Sequence, residues 1–200
     1  EAVDITFRAI CEPGDEVIIP EPAFVAYRPC TALAGGVPVP IPTTMEQGFK
    51  ITPEQIEAAI TPKTKAILLN FPCNPTGVIM SKEELEAIAK VCIKHNLLVI
   101  SDEIYAELTY GAKHHSIASF PGMRERTVVI SGVSKAFAMT GWRIGYLAAP
   151  EALVKGIAKV HQFALMCSPT AGQYAAVEAF RHGRPEVERM VNEYAKRREI

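Results

Sequence analysis

The residues best suited to chemistry cluster in Ser131-Gly-Val-Ser-Lys-Ala-Phe-Ala-Met-Thr-Gly-Trp-Arg143, where Lys135 stands among Gly132, Ser134, Ala136 and Ala138. A lysine among small, apolar neighbours can be desolvated, which lowers its pKa and frees the amine to attack a carbonyl. Arg143, eight residues on, carries a planar fork suited to a phosphate. Together they suit Schiff-base chemistry on a phosphorylated aldehyde, although a solvated loop lysine fits this stretch equally well. Asn70-Phe-Pro-Cys-Asn-Pro-Thr-Gly77 is a conformationally restricted turn. It can fix Asn74 as a donor to a phenolate oxygen, or simply join a strand to a helix. Asp102 follows the apolar run Leu97 to Ile100 and so emerges from a buried strand. A carboxylate there must be paired: with a pyridinium nitrogen that it keeps protonated, or with an arginine in a structural ion pair. Tyr105, three residues later, reaches the same ligand if the chain turns helically.

The elements that position these residues follow from pattern. Strands are expected at Glu16 to Ile19, Ala66 to Leu69, Leu97 to Ile100, Thr127 to Ile130 and Ile144 to Ala148. Val37, Val39 and Ile41 alternate with prolines, which places that strand at a sheet edge. Thr52-Pro-Glu-Gln55 and Ser81-Lys-Glu-Glu84 are capping boxes that open helices. In the second, Leu85, Ile88, Ala89, Cys92 and Ile93 share one face, and His95-Asn96 closes the helix. Helices alternating with strands that are apolar on both faces imply an α/β fold: three layers, α/β/α, around a mostly parallel sheet. Ligands bind such sheets outside the carboxyl ends of the strands. Three neighbouring inner strands then deliver an amide (Asn74), a carboxylate (Asp102) and a lysine (Lys135) to one edge. The last strand, Ile144 to Ala148, can run antiparallel.

Composition narrows the function classes. With 48% hydrophobic and 22% charged residues and a net charge of -1, the chain reads as a soluble globular protein with no basic stripe for nucleic acid. No apolar run is long enough to span a membrane. The five cysteines are scattered without a CxxC pair, which points to free thiols in a reducing cytoplasm rather than disulfides or zinc. The five histidines lack metal-like spacing and read as structural or exposed, so no metal site is expected; Cys73 and Trp142 read as packing, Trp142 in the core or beside a cofactor. Glu1 to Ile10 looks like a helix without a cap, and the helical stretch from Pro185 ends at Ile200 without a stop signal. The expectation is an internal fragment of a longer protein.

The ordered set Asn70-x-Pro-x-Asn-Pro-Thr-Gly77, Ser101-Asp-Glu-Ile-Tyr105 and Ser134-Lys135 with Arg143 closely resembles the class I/II aminotransferases. These are pyridoxal-5'-phosphate enzymes of fold type I, and the resemblance is strongest to the prokaryotic aspartate/aromatic branch. It implies that residues 1–182 form most of the cofactor-binding large domain and 183–200 the start of a helix leading to a small domain. By position, Lys135 is then the Schiff-base lysine and proton shuttle, Asp102 pairs with the pyridine nitrogen, and Tyr105 and Asn74 bond the cofactor's 3'-oxygen. Arg143 and Ser134 hold the phosphate, and Phe24 matches the aromatic ring that stacks on the cofactor. Gly132 stands where the family often has serine, glycine also being accepted, which puts one phosphate contact in question. The family's phosphate loop would precede Glu1, and the arginine that grips the substrate's α-carboxylate would follow Ile200, so the fragment alone is expected to be inactive. The substrates implied are an amino acid and a 2-oxo acid, and the assembly a homodimer, with residues 162–173 approaching the partner. A carbon–sulfur lyase or cyclopropane synthase on the same scaffold, or an aminotransferase-like sensor domain of a transcription regulator, shares the same cofactor residues.

Overall fold

The computed structural model describes all 200 residues. Six strands, β1 (Glu16–Glu21), β2 (Val37–Pro42), β3 (Thr64–Asn70), β4 (Leu98–Asp102), β5 (Thr127–Gly132) and β6 (Gly145–Ala148), form one sheet in the order β2-β1-β3-β4-β5-β6. All neighbouring pairs are parallel except β5 and β6, which are antiparallel as the sequence allowed. Strand β2, with prolines at 38, 40 and 42, lies at the edge, where the missing N–H groups cost no inner ladder bond.

Seven helices accompany the sheet: α1 (Ala2–Ile10), α2 (Tyr27–Leu33), α3 (Pro53–Ala59), α4 (Lys82–Lys94), α5 (Glu151–Ala164), α6 (Thr170–His182) and α7 (Arg184–Arg198). Both capping boxes form: Thr52 accepts from the Gln55 N–H and Ser81 from the Glu84 N–H, with the reciprocal bonds present. Alternation along the strands splits the core into two layers. On one face Ile18, Ile67, Leu69 and Val99 meet Ile56 of α3 and Leu85, Ile88 and Cys92 of α4. On the other, Val17, Ile19, Leu68, Ile100 and Ile130 meet Ile5 and Phe7 of α1, Tyr27 of α2 and Ile157 of α5. This is the expected three-layer α/β/α arrangement. Cys73 packs half-buried against the first layer, as read from sequence. Trp142 does not join the core: it is 49% exposed, in a short 3-10 turn (Thr140–Trp142) that ends in left-handed backbone at Arg143. No helix is long and apolar enough to cross a membrane.

The parallel register aligns Asn70 with Asp102 and Asp102 with Ile130, so β3 and β4 end level and β5 runs two residues further, to Gly132. The chain leaves β1 outward to β2 and returns to β3, so the strand order reverses beside β1 and β3, where open α/β sheets form a ligand crevice. The turns carrying Phe24 and Asn74 flank that reversal, bridged by a long contact of 3.6 Å from the Cys73 thiol to the Pro22 carbonyl.

Candidate active site

Asp102 ends β4 and is buried. Its Oδ2 accepts from the Tyr27 hydroxyl at 2.9 Å and its Oδ1 from the Ile104 N–H at 3.1 Å. No arginine is within bonding reach, so the alternative of a structural arginine pair is overturned. Burial raises its pKa above the usual carboxylate value; the bonds from Ile104 and Tyr27 pull it down, and the neighbouring Glu103 charge pushes it up. Burial, with the Asp102 charge alongside, also raises the Tyr27 phenol. Each carboxylate oxygen can accept a further bond. A buried, charge-penalised carboxylate with acceptor capacity to spare is suited to a cationic N–H donor.

Asn70 braces this end of the sheet. Its amide donates to the Asp102 carbonyl at 2.9 Å, and its Oδ1 accepts from the Asn74 N–H at 3.0 Å. The turn bearing Asn74 is therefore hung from the strand end that carries Asp102. Asn74 and Tyr105 line one groove, of about 490 Å³. Ser134 and Arg143 line a second cleft, of about 420 Å³, together with Gly132, Ile104 and the first residues of α1. Lys135 lines neither: its Nζ lies 5.6 Å from the centroid of the Tyr105 ring, and the preceding residue, Ser134, lines the second cleft. The largest cavity, about 630 Å³ between the turn after Tyr105 and α7, contains none of the expected residues.

Phe24 is partly exposed and meets Tyr27 edge-to-face, with centroids 5.6 Å apart, so its ring is seated by the residue that bonds Asp102. The Arg143 side chain is exposed and donates to the Thr140 carbonyl at 2.8 Å. At Gly132 an added Cβ would lie 2.9 Å from the Ile144 carbonyl oxygen and 3.1 Å from the Gly145 Cα. Backbone leaves no room for a side chain there, which accounts for glycine in place of serine.

The chain matches the family described as aminotransferase class I and II over residues 1–200. It belongs to the class I and II aminotransferases. The Bacillus subtilis (strain 168) protein named "Putative aminotransferase YugH" is 56% identical over 200 residues, which cover 100% of this chain and 52% of that protein. The aspartate aminotransferase of Pyrococcus abyssi is 46% identical over 195 residues, 96% of this chain and 50% of that one. Among solved structures, the aromatic aminotransferase of Pyrococcus horikoshii superposes with a TM-score of 0.95 at 44% identity, over 99% of this chain and 54% of that one. The chain thus spans about half the length of the aminotransferases it matches, and its sheet is that of aminotransferase fold type I.

Two groups escaped the sequence reading. Tyr27 reaches Asp102 across 75 positions, and no local pattern announces such a contact. Glu103 is buried as deeply as Asp102 and holds its own set of donors; its place directly after Asp102 at the end of β4 was the available signal.

Proposed function

We propose that the protein containing this chain is a pyridoxal-5'-phosphate-dependent aminotransferase that moves an amino group between an amino acid and a 2-oxo acid. The observation that carries this reading is Asp102: a buried carboxylate at the strand ends, with no cationic partner in the chain, on the edge that also bears Lys135, Tyr105 and Asn74. That donor set fits the cofactor. Bound there, pyridoxal phosphate supplies a ring that accepts the electron pair left on the substrate's α-carbon. Asp102 keeps the ring nitrogen protonated, its anionic form supported by Tyr27 and Ile104. Tyr105 and Asn74 donate toward the 3'-oxygen. Ser134, Arg143 and the first residues of α1 line one cleft, and Ser134 and Arg143 would hold the phosphate there. Lys135 would hold the cofactor through Nζ and would carry a proton at that atom to and from the substrate's α-carbon. Phe24, seated on Tyr27, covers the ring.

Residues 1–182 form a cofactor-binding unit in this reading, with 183–200 leading away from it. A homodimer is also proposed: Phe163, Met166 and Tyr174 are strongly exposed at the junction of α5 and α6, as a partner subunit would require. Light scattering on the whole protein gives twice the subunit mass if so.

The deciding test is turnover of the whole protein against a panel of amino acids and 2-oxo acids. Transfer of the amino group with formation of the matching oxo acid is expected. Release of thiol and ammonia, or cofactor binding without turnover, overturns the proposal.

A further inference from the structure

Glu103 points to the sheet face opposite Asp102, and its carboxylate is enclosed by donors. Oε1 accepts from the Ser101 hydroxyl at 2.9 Å and the Ser116 hydroxyl at 2.7 Å, and the His114 Nε2 lies 2.8 Å from Oε2. An ionised carboxylate only accepts, so the His114 ring is the donor. The Glu103 N–H donates to the Ile130 carbonyl at 2.8 Å, fixing this residue to β5 as well.

The chain between these partners forms a loop that carries Tyr105 at its start, two residues after Glu103. It leaves Glu103, passes through Tyr105 and a short 3-10 turn (Ala106–Leu108), and returns at His114 and Ser116 to the carboxylate where it began. Its other ties are the bond from the Thr109 hydroxyl to the Ala106 carbonyl at 3.0 Å, the Arg198 guanidinium 5.5 Å from the centroid of the Tyr110 ring, and an ion pair to α7. Ala106, Glu107, Thr109, Ala112 and Lys113 border the 630 Å³ cavity rather than packed core. The ion pair from Glu107 to Arg184 is solvent-exposed, and such pairs contribute little. Buried hydrogen bonds to a charged acceptor are stronger, and they are made at the loop's base.

We propose that Glu103, His114 and Ser116 form a clasp that positions Tyr105 against Lys135, making Glu103 and His114 positioning residues for the reaction. The inference rests on the reading of Tyr105 as a donor to the cofactor's 3'-oxygen. A loosened loop lets the Tyr105 hydroxyl drift from that oxygen, and the protonated state of the lysine–cofactor linkage gains relative to the unprotonated one.

The test uses the whole protein loaded with pyridoxal 5'-phosphate and follows the pH midpoint of the cofactor's visible band. Tyr105→Phe raises the midpoint by up to about one pH unit, the scale of one lost hydrogen bond. His114→Gln, which leaves the Glu103 charge beside Asp102 in place, raises it by less, and adds nothing in the Tyr105→Phe background, because it acts through the same hydroxyl. Ser116→Ala, which removes another donor of the clasp, carries the same test if His114→Gln does not fold. An unchanged midpoint in both clasp variants, with Tyr105→Phe still effective, overturns the clasp and leaves the proposed function standing. Shifts that add to that of Tyr105→Phe overturn it too. No effect from Tyr105→Phe itself removes the reading of Tyr105, and the clasp's role with it.

Discussion

The hydroxyl of Tyr27 donates to Oδ2 of Asp102 at 2.9 Å, joining the first turn of α2 to the end of β4. Tyr27 is 1% exposed, so water cannot replace the bond. Its ring also seats Phe24, so one residue both favours the anionic form of the buried carboxylate and supports the aromatic ring beside it.

Tyr27→Phe deprives a buried charge of a donor, and loss of a hydrogen bond to a charged group costs about 1.5–3 kcal/mol. The Asp102 pKa should rise further, since one of the two bonds that restrain it is gone. Denaturant unfolding at neutral pH measures the loss. In the Asp102→Asn background the loss should shrink, the charged acceptor being absent. An equal loss in both backgrounds would assign the effect to packing alone.

Asp102 also sets a pH dependence. A carboxyl whose pKa rises on folding binds its proton more tightly in the folded chain. Its contribution to stability is therefore fully present below the unfolded pKa and is lost as pH rises through the folded one. At neutral pH the cofactor-free protein bears that cost. Asp102→Asn keeps the shape without the charge, so it should melt higher than the parent near pH 7, with the gain vanishing as acid protonates Asp102. Thermal melts across a pH series check this, and a gain independent of pH would contradict it.

The strands were legible because burial on both faces leaves continuous apolar runs, as in Leu97 to Ile100, and the helices because both capping boxes are local in sequence. Prolines at alternate positions marked β2 as an edge for the same local reason. The pairing of Asp102 was not legible, since its donor lies 75 positions away and any buried tyrosine satisfies the same pattern. Of the two readings of Trp142, the core one fails: the short turn ending in left-handed backbone at Arg143 leaves the ring half exposed, against the usual preference of a large aromatic ring. Glu103 was overlooked because its partners, 11 and 13 residues on, sit in a loop with no periodicity.

Gly132→Ser should restore the residue common in the family without restoring a phosphate contact. The added Cβ meets the Ile144 carbonyl oxygen at 2.9 Å, where the yielding atoms are backbone between β5 and β6. Overpacking of this kind costs about 1–3 kcal/mol. Unfolding should show that loss, and spectroscopic titration should show no tighter cofactor binding. A variant as stable as the parent that binds the cofactor more tightly would mean that the β5–β6 ladder yields easily.

Lys135→Ala separates the chemistry of the lysine from its packing. Half-buried in the turn after β5, Lys135 makes no ion pair or side-chain hydrogen bond, only an approach to the Tyr105 ring. Its removal should therefore leave folding nearly intact. The whole protein should lose the visible band of the covalently held cofactor while still binding it through Asp102, Ser134 and Arg143. Turnover should fall by at least about 10²–10⁴-fold, the scale of a lost proton-transfer group, with loss of the covalent link adding to that. Borohydride reduction of the parent protein followed by peptide mapping tests the assignment directly. The reduced cofactor should be found on the peptide containing Lys135; recovery on Lys155 or Lys159 of α5 would overturn the site.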